Sequence, residues 1–278
     1  MGGIRIDNIE RYIYLFQNGN TDFSINEWAE PIYAAMISAY QEDEGLTADI
    51  GNEYTRVMMA CGYRSNKTYS PIERIVDRSG LEAIASHLKG VMIQNFSKLS
   101  LVDRKDLGDY LQYIFLELMN NVADHAHSPV GGYTMAQYYK GGERVQFVVA
   151  DRGVGFLANM KLNYANITSE DDAIIEALKK GITSTRAKMY GAERNAGFGL
   201  YAMFEIMVMT GGKFIVISND SFVRYSRDNV ERGRLPFPWK GVVVAVELKE
   251  ANINYDMDYF RRTYLWGEAL GEDEDFFD

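Results

Sequence analysis

The chain has 278 residues, 47% hydrophobic and 24% charged, with a net charge of −10. That composition can bury a real core in one large or two small domains, and its negative charge argues against a broad surface for nucleic acid or anionic membranes. One cysteine, Cys61, excludes an internal disulfide and a thiolate metal cluster; no apolar run reaches membrane-spanning length, and the first residues show neither a signal-peptide core nor the myristoylation pattern, so a cytoplasmic protein is expected.

In chain order, residues 1–95 read as a mainly helical N-terminal region. "SINE" at 24–27 has the form of a capping box ahead of "WAEPIYAAMISAYQ", although Pro31 would then fall inside the helix. "EYTRVMMACG" is a second helical segment, and "YSPIER" at 69–74 an extended connector. Two longer helices are predicted over about 80–97 and 104–127. The pattern then changes. "GYTMAQYYKGGERVQFVVADRG" predicts two strands around a Gly141–Gly142 turn. "DDAIIEALKKG" predicts a helix closed by Gly181, and "GLYAMFEIMVMTGG" another closed by Gly211–Gly212. Strands are expected in "KFIVIS" and "VVVAVEL", with "NDSFVRYSRDNVERGRLPFPWKG" between them as a long hairpin loop. The acidic end, "GEDEDFFD", reads as a frayed tail. Helices with mostly antiparallel strands make this an α+β chain.

"ELMNNVADHAHS", Glu117 to Ser128, crowds polar chemistry into a segment patterned for a core. At about 100° per residue, Leu111, Phe115, Leu118, Met119, Val122 and Ala126 form one stripe. Glu117, Asn121, Asp124 and Ser128 share another face, with His125 at its edge. "HAH" at 125–127 resembles a metal motif, but residues two apart on a helix diverge, whereas zinc helices use i, i+4. Of the Glu117/Asn121 pair alone, a solvated helix face and a functional face remain equal readings.

Three further segments bear on that choice. "DRGVGF" at 151–156 places an acid at the end of an apolar strand, followed by alternating glycines that permit close backbone approach to a ligand. "NAGFGLYAM" at 195–203 is a Gly-x-Gly opening a helix, where backbone N–H groups and the helix dipole favour an anion. "KKGITSTRAKMYGAER" at 179–194 reverses the sign of the chain's charge locally, as a loop covering phosphates would require. Each has a plain alternative as a turn, a helix start or a solvated loop.

Taken in order, these segments resemble the motifs of the GHKL superfamily of ATP-binding domains, which includes DNA gyrase, MutL, sensor histidine kinases and anti-sigma-factor serine kinases. "ELMNNVADHAHS" looks like the N box, "DRGVGF" the first glycine box and "GFGL" the second, and the resemblance spans about residues 96–250. It implies a two-layer α/β sandwich, the Bergerat ATP-binding fold, with a mixed, mostly antiparallel sheet under helices. The helical region 1–95 would precede it and an acidic tail, 251–278, would follow. It implies that Asn121 holds Mg²⁺, that Glu117 is the general base, and that Asp151 accepts from the adenine amino group. Gly153 and Gly155 would pass close to the base, and Gly197 and Gly199 would offer N–H groups to phosphate. Asp124 and His125 on the N-box helix, with Phe198 and Leu200 of the second glycine box, complete the implied nucleotide contacts. The terminal phosphate falls to Thr183, Ser184 or Thr185 and to a lid cation such as Arg186, Lys188 or Arg194, with no choice among them. Amide and phosphate oxygens suit hard Mg²⁺, and a Glu beside metal-bound phosphates can orient a water or hydroxyl for in-line attack.

The pattern departs from the family in two places: Asn195 stands where some members have an earlier glycine, and Val242 where many kinases have threonine. His87 in "ASHLKG" lies too near Asn121 to belong to a separate phosphoacceptor hairpin. A full sensor kinase is not expected, because no membrane span or phosphoacceptor domain is read, nor is a topoisomerase or repair machine, because no transducer domain is read after the ATP-binding region. Two functions remain: an ATP·Mg²⁺ enzyme that hydrolyses ATP slowly or phosphorylates a protein partner, STAS-like or otherwise regulatory, and a non-catalytic ATP-gated interaction module. A scaffold with degenerate motifs is a third. Nucleic acid and membrane are not expected partners, and oligomerisation stays open.

Overall fold

The computed structural model describes residues 3–25, 27–60, 68–161, 164–179, 199–226 and 229–253. The N-terminal part contains strand β1 (Gly3–Ile4), a 3-10 helix (Ile9–Phe16), β2 (Asp22–Phe23), β3 (Trp28–Ala29), α1 (Pro31–Glu44), β4 (Asp49–Ile50) and α2 (Glu53–Ala60). There follow β5 (Glu73–Ile75), α3 (Leu81–Asn95), α4 (Leu101–His125), β6 (Gly132–Tyr139) and β7 (Arg144–Asp151). The remainder holds α5 (Gly155–Met160), α6 (Glu170–Ala177), α7 (Gly199–Met209), β8 (Lys213–Ser218), β9 (Ser221–Ser226), β10 (Asn229–Arg234) and β11 (Val242–Lys249).

Seven strands make one sheet in the order β10-β9-β8-β11-β7-β6-β5, with every neighbouring pair antiparallel. The side-chain period of two sends alternate residues to opposite faces. Val145, Phe147 and Val149 of β7 join Val244 and Val246 of β11 in a core with α3, α4 and α7. Val148 and Ala150 join Ile215, Ile217, Val243 and Ala245 in a second core with α1 and the N-terminal strands. Burial on both faces explains why these strands read as continuous apolar runs. It also corrects the two-layer expectation: helices cover both faces, so the arrangement has three layers. The coarser α+β reading, with an antiparallel sheet, stands.

The helix α1 is buried all along Pro31–Tyr40. A helix apolar on every side is a buried helix, and this one lies between the sheet and the aromatic residues Phe16 and Phe23. Its start differs from the capping-box expectation. Residues 28–29 form β3, and α1 begins at Pro31, where a missing N–H and a fixed φ suit the first helical position. The Ser24 hydroxyl and N–H donate to Asp22 Oδ1 instead of capping a helix. Gly45 closes α1 at φ 63°, a conformation glycine adopts without a Cβ penalty.

The expected loop after β8 contains two strands. Its Asp, Arg, Asn and Gly content concealed β9, whose Phe222, Val223 and Tyr225 are buried. Arg224, also buried, pairs with Glu10 and Glu231. β10 is a sheet edge, and its charged, mostly exposed residues guard it against edge pairing. The "YSPIER" connector supplies β5, and Tyr69 bridges to Gln137. Residues 73–95 therefore belong to the sheet and to the helix layer that α3 shares with α4, and the division at 95/96 runs between two packed helices. The predicted helix end at Gly181 and the acidic tail lie outside the described residues.

The helix α4 is anchored at Ser100, whose side chain accepts from the Asp103 N–H at 3.1 Å. All six residues of its predicted stripe are buried, and Phe115 stacks on Phe147 with ring centroids 4.2 Å apart. Phe115→Ala should leave a cavity between α4 and the sheet and cost about 3–5 kcal/mol, measured as a drop in urea midpoint at unchanged slope.

Candidate functional site

The end of α4 and the glycine turn at 153–155 meet at the end of β7, and the start of α7 packs on α4 farther up. The C-terminus of α4 presses on the glycine turn through backbone. Ala126 O accepts from Val154 N at 2.9 Å. A Cβ on Gly153 would sit 2.0 Å from that same Ala126 oxygen, so only glycine fits. Gly155 has φ +82°, and a Cβ there would meet Asn219 Nδ2 at 2.2 Å. Farther up α4, a Cβ on Gly199 would lie 2.3 Å from Glu117 Cβ. The opening of α7 is thus set directly against the predicted general base.

Asp151 is 4% exposed. Its Oδ1 accepts from Gly153 N at 2.7 Å and Val242 N at 3.3 Å. No described residue donates to its Oδ2. Gly241, at φ +104°, permits the close approach of the chain before β11, because a Cβ there would lie 2.5 Å from Asp151 O and Gly153 N and 2.7 Å from Asp151 Oδ1. Burial pushes the carboxyl up to about 7; the two N–H donors and the charge of Arg152 pull in the opposite direction.

Second-rank residues hold this geometry. The Trp239 indole N–H donates to Asp151 O at 3.0 Å. Asn219 accepts from Gly241 N at 3.1 Å, and its amide donates to Val154 O at 3.0 Å and to Glu170 Oε1 at 2.7 Å. Glu170 also accepts from the Ser218 hydroxyl at 2.6 Å, and that hydroxyl in turn accepts from Phe156 N at 2.9 Å. None of Trp239, Gly241, Asn219 and Glu170 stood out in the sequence. The one available signal was "FPWKG" directly before the last strand.

On α4, Asn121 is exposed and Glu117 half-buried, one turn apart on the same face. Asp124 takes a bidentate contact from Arg78, at 2.9 Å from Nε and 2.5 Å from Nη2, so its partner in the fold is that guanidinium. His125 is half-buried, and burial lowers its pKa and favours the neutral ring. The helix ends at His125, and His127 sits outside it at φ 49°, so the two histidines do not share a helical face. Among the described residues, no cluster of three or more His, Cys, Asp or Glu is arranged to hold a metal ion. Leu200 is buried in the core beside α4. Thr183, Ser184, Thr185, Gly197 and Phe198, with Arg186, Lys188 and Arg194, lie outside the described residues. No described helix is long and apolar enough to cross a membrane.

No protein-family profile matches the chain, and no curated protein matches it.

Asp151 makes the site costly to hold in its charged form. Its folded pKa lies above the ordinary carboxyl value, so the stability it contributes is complete below about pH 4 and is lost as pH rises through about 7. Asp151→Asn keeps the acceptor for both N–H groups and removes the ionisation. The variant should match wild type near pH 4 and exceed it by about 2–4 kcal/mol above pH 8, read from denaturant unfolding at the two pH values.

Proposed function

We propose that this chain binds ATP with Mg²⁺ in a GHKL-type site and uses Glu117 to direct attack on the terminal phosphate, either by water or by a hydroxyl of a partner protein. The observation that supports the reading best is Asp151: a buried carboxylate with one oxygen engaged by backbone and the other open, at a turn whose glycines leave no room for side chains. Such a carboxylate accepts from an exocyclic amino group and gives a purine ring a fixed orientation. Its environment suits a flat, largely apolar ligand, with Val122, Ala126 and Phe156 close to the turn.

The N-box face fits the rest of the nucleotide. Asn121 offers a neutral amide oxygen of the kind a hard divalent cation takes alongside phosphate oxygens. Bound Mg²⁺ would neutralise charge building on the phosphates. Glu117, one turn earlier, would orient the attacking oxygen and receive its proton. Gly199, packed on Glu117, sets the start of α7 beside that carboxylate, where its backbone N–H groups and the helix dipole favour phosphate.

Differential scanning with an ATP analogue and Mg²⁺ tests the binding. At ligand about 100 times the dissociation constant, linkage gives about 2.7 kcal/mol, a rise of a few degrees. The rise should vanish in Asp151→Asn. Turnover is tested separately: Glu117→Ala should keep the thermal shift and lose single-turnover phosphate release by about 100-fold or more. Unchanged release in that variant would remove Glu117 from the chemistry, and binding without release in wild type would make the protein an ATP-gated interaction module.

A further inference from the structure

The residue after Asp151 is a buried arginine that the nucleotide reading does not use. Arg152 is 4% exposed. Its Nε donates to Asp43 Oδ2 at 3.0 Å and its Nη2 to Glu44 at 3.3 Å, both at the C-terminal end of α1. Lys240, just before β11, donates to both oxygens of Asp43 at 2.7 and 2.9 Å. The guanidinium lies over two rings, 4.7 Å from the Trp239 centroid and 5.3 Å from that of Tyr40. Trp239 in turn holds the Asp151 carbonyl and meets Phe16 edge-on at 5.3 Å. The N-terminal layer thus grips the peptide that carries Asp151.

Stability alone is a poor reason for this cluster. A buried ion pair gains little over apolar residues of the same volume, and Arg152 Nη1 is buried with no hydrogen-bond partner, which costs free energy. The cluster has one evident geometric consequence: Arg152 lies on Trp239, whose indole holds the Asp151 carbonyl, so the guanidinium fixes the peptide that carries the carboxylate; its charge adds to the Gly153 and Val242 N–H groups in opposing desolvation. We propose that Arg152, anchored by Asp43, is the positioning residue for Asp151, so that the N-terminal layer is a working part of the nucleotide site. This rests on the nucleotide reading above.

The charged groups around Asp151 are few enough to separate. Arg152 lies on its own strand end, Asp43 and Glu44 come from α1, and Lys240 precedes β11. Asp124, paired with Arg78, and His125 lie at the end of α4, and Glu170 of α6 reaches the turn through Asn219. Of these, Arg152 alone is both buried and cationic.

The test uses the full chain. The amides of Gly153 and Val242 donate to Asp151 Oδ1, so their NMR shifts against pH report its ionisation without nucleotide. Arg152→Gln should move the inflection up, and Arg152→Lys should leave it in place. If Arg152→Gln fails to fold, Arg152→Gln with Asp43→Asn removes the buried pair together, leaves only the solvent-accessible Lys240 and Glu44 without their partners, and should still move the inflection up. An inflection unmoved in these neutral variants overturns the role of Arg152. Thermal shift with the ATP analogue and Mg²⁺ at pH 7.5 gives the second readout: it should fall in Arg152→Gln and return in Arg152→Lys. Absence of any nucleotide shift in wild type overturns the nucleotide reading itself, and the amide titration tells the two failures apart.

Discussion

Everything in this molecule depends on one antiparallel sheet being buried on both faces. Val145, Phe147 and Val149 need α4 above them, and Val148 and Ala150 need α1 below. Hydrophobic burial is proportional to the apolar area removed from water, so neither helix layer can leave without exposing half of every central strand. The polar groups at the candidate adenine turn then lie at the ends of strands and helices. Asp151 stands at the end of β7, Ala126 just past the end of α4, Gly199 at the start of α7, and Gly241 just before β11.

The same constraint explains how charges sit beneath the site. A buried sheet face tolerates ions only where they are paired. Arg144 meets Glu30 at 3.2 Å and also Glu247, which accepts from Gln146 at 2.9 Å. Burial raises the Glu30 pKa against the pull of the Ile6 N–H and Arg144. Arg224 pairs with Glu10 and Glu231 near the other edge. In each case a sheet arginine takes at least one carboxylate from the N-terminal layer. The layer is fastened to the sheet by ions as well as by packing, and the cluster at Arg152 is the member of this set nearest Asp151.

Much of the site was legible because its parts are local. The stripe through Leu111, Phe115, Leu118, Met119 and Val122 follows from helical periodicity, which also put Glu117 and Asn121 on a separate face. Glycines at 153 and 155 marked a turn that bars side chains, and the structure supplies the obstacles, Ala126 O and Asn219. Other parts were hidden because local preference was overruled. "SINE" has the letters of a capping box, but Pro31 is a better first helical residue, and the chain enters α1 from a strand. "SFVRYS" is set among turn residues and "NVERGR" carries much charge, yet one is a buried strand and the other a protected edge.

From its residues alone, the chain determined where the longer helices and the central strands fall, which face of α4 is apolar, and which turns require glycine. These are consequences of spacing and backbone sterics within about ten residues. Only the tertiary structure decided what meets what. Arg152 and Asp43 are 109 positions apart, and Trp239 and Asp151 are 88. Contacts at such separations have no local signature, because they arise when two sheet faces are covered and strand ends are brought to one place. The physical reason is that periodicity records which side of an element avoids water, whereas the partner on that side is chosen by the packing of the whole chain.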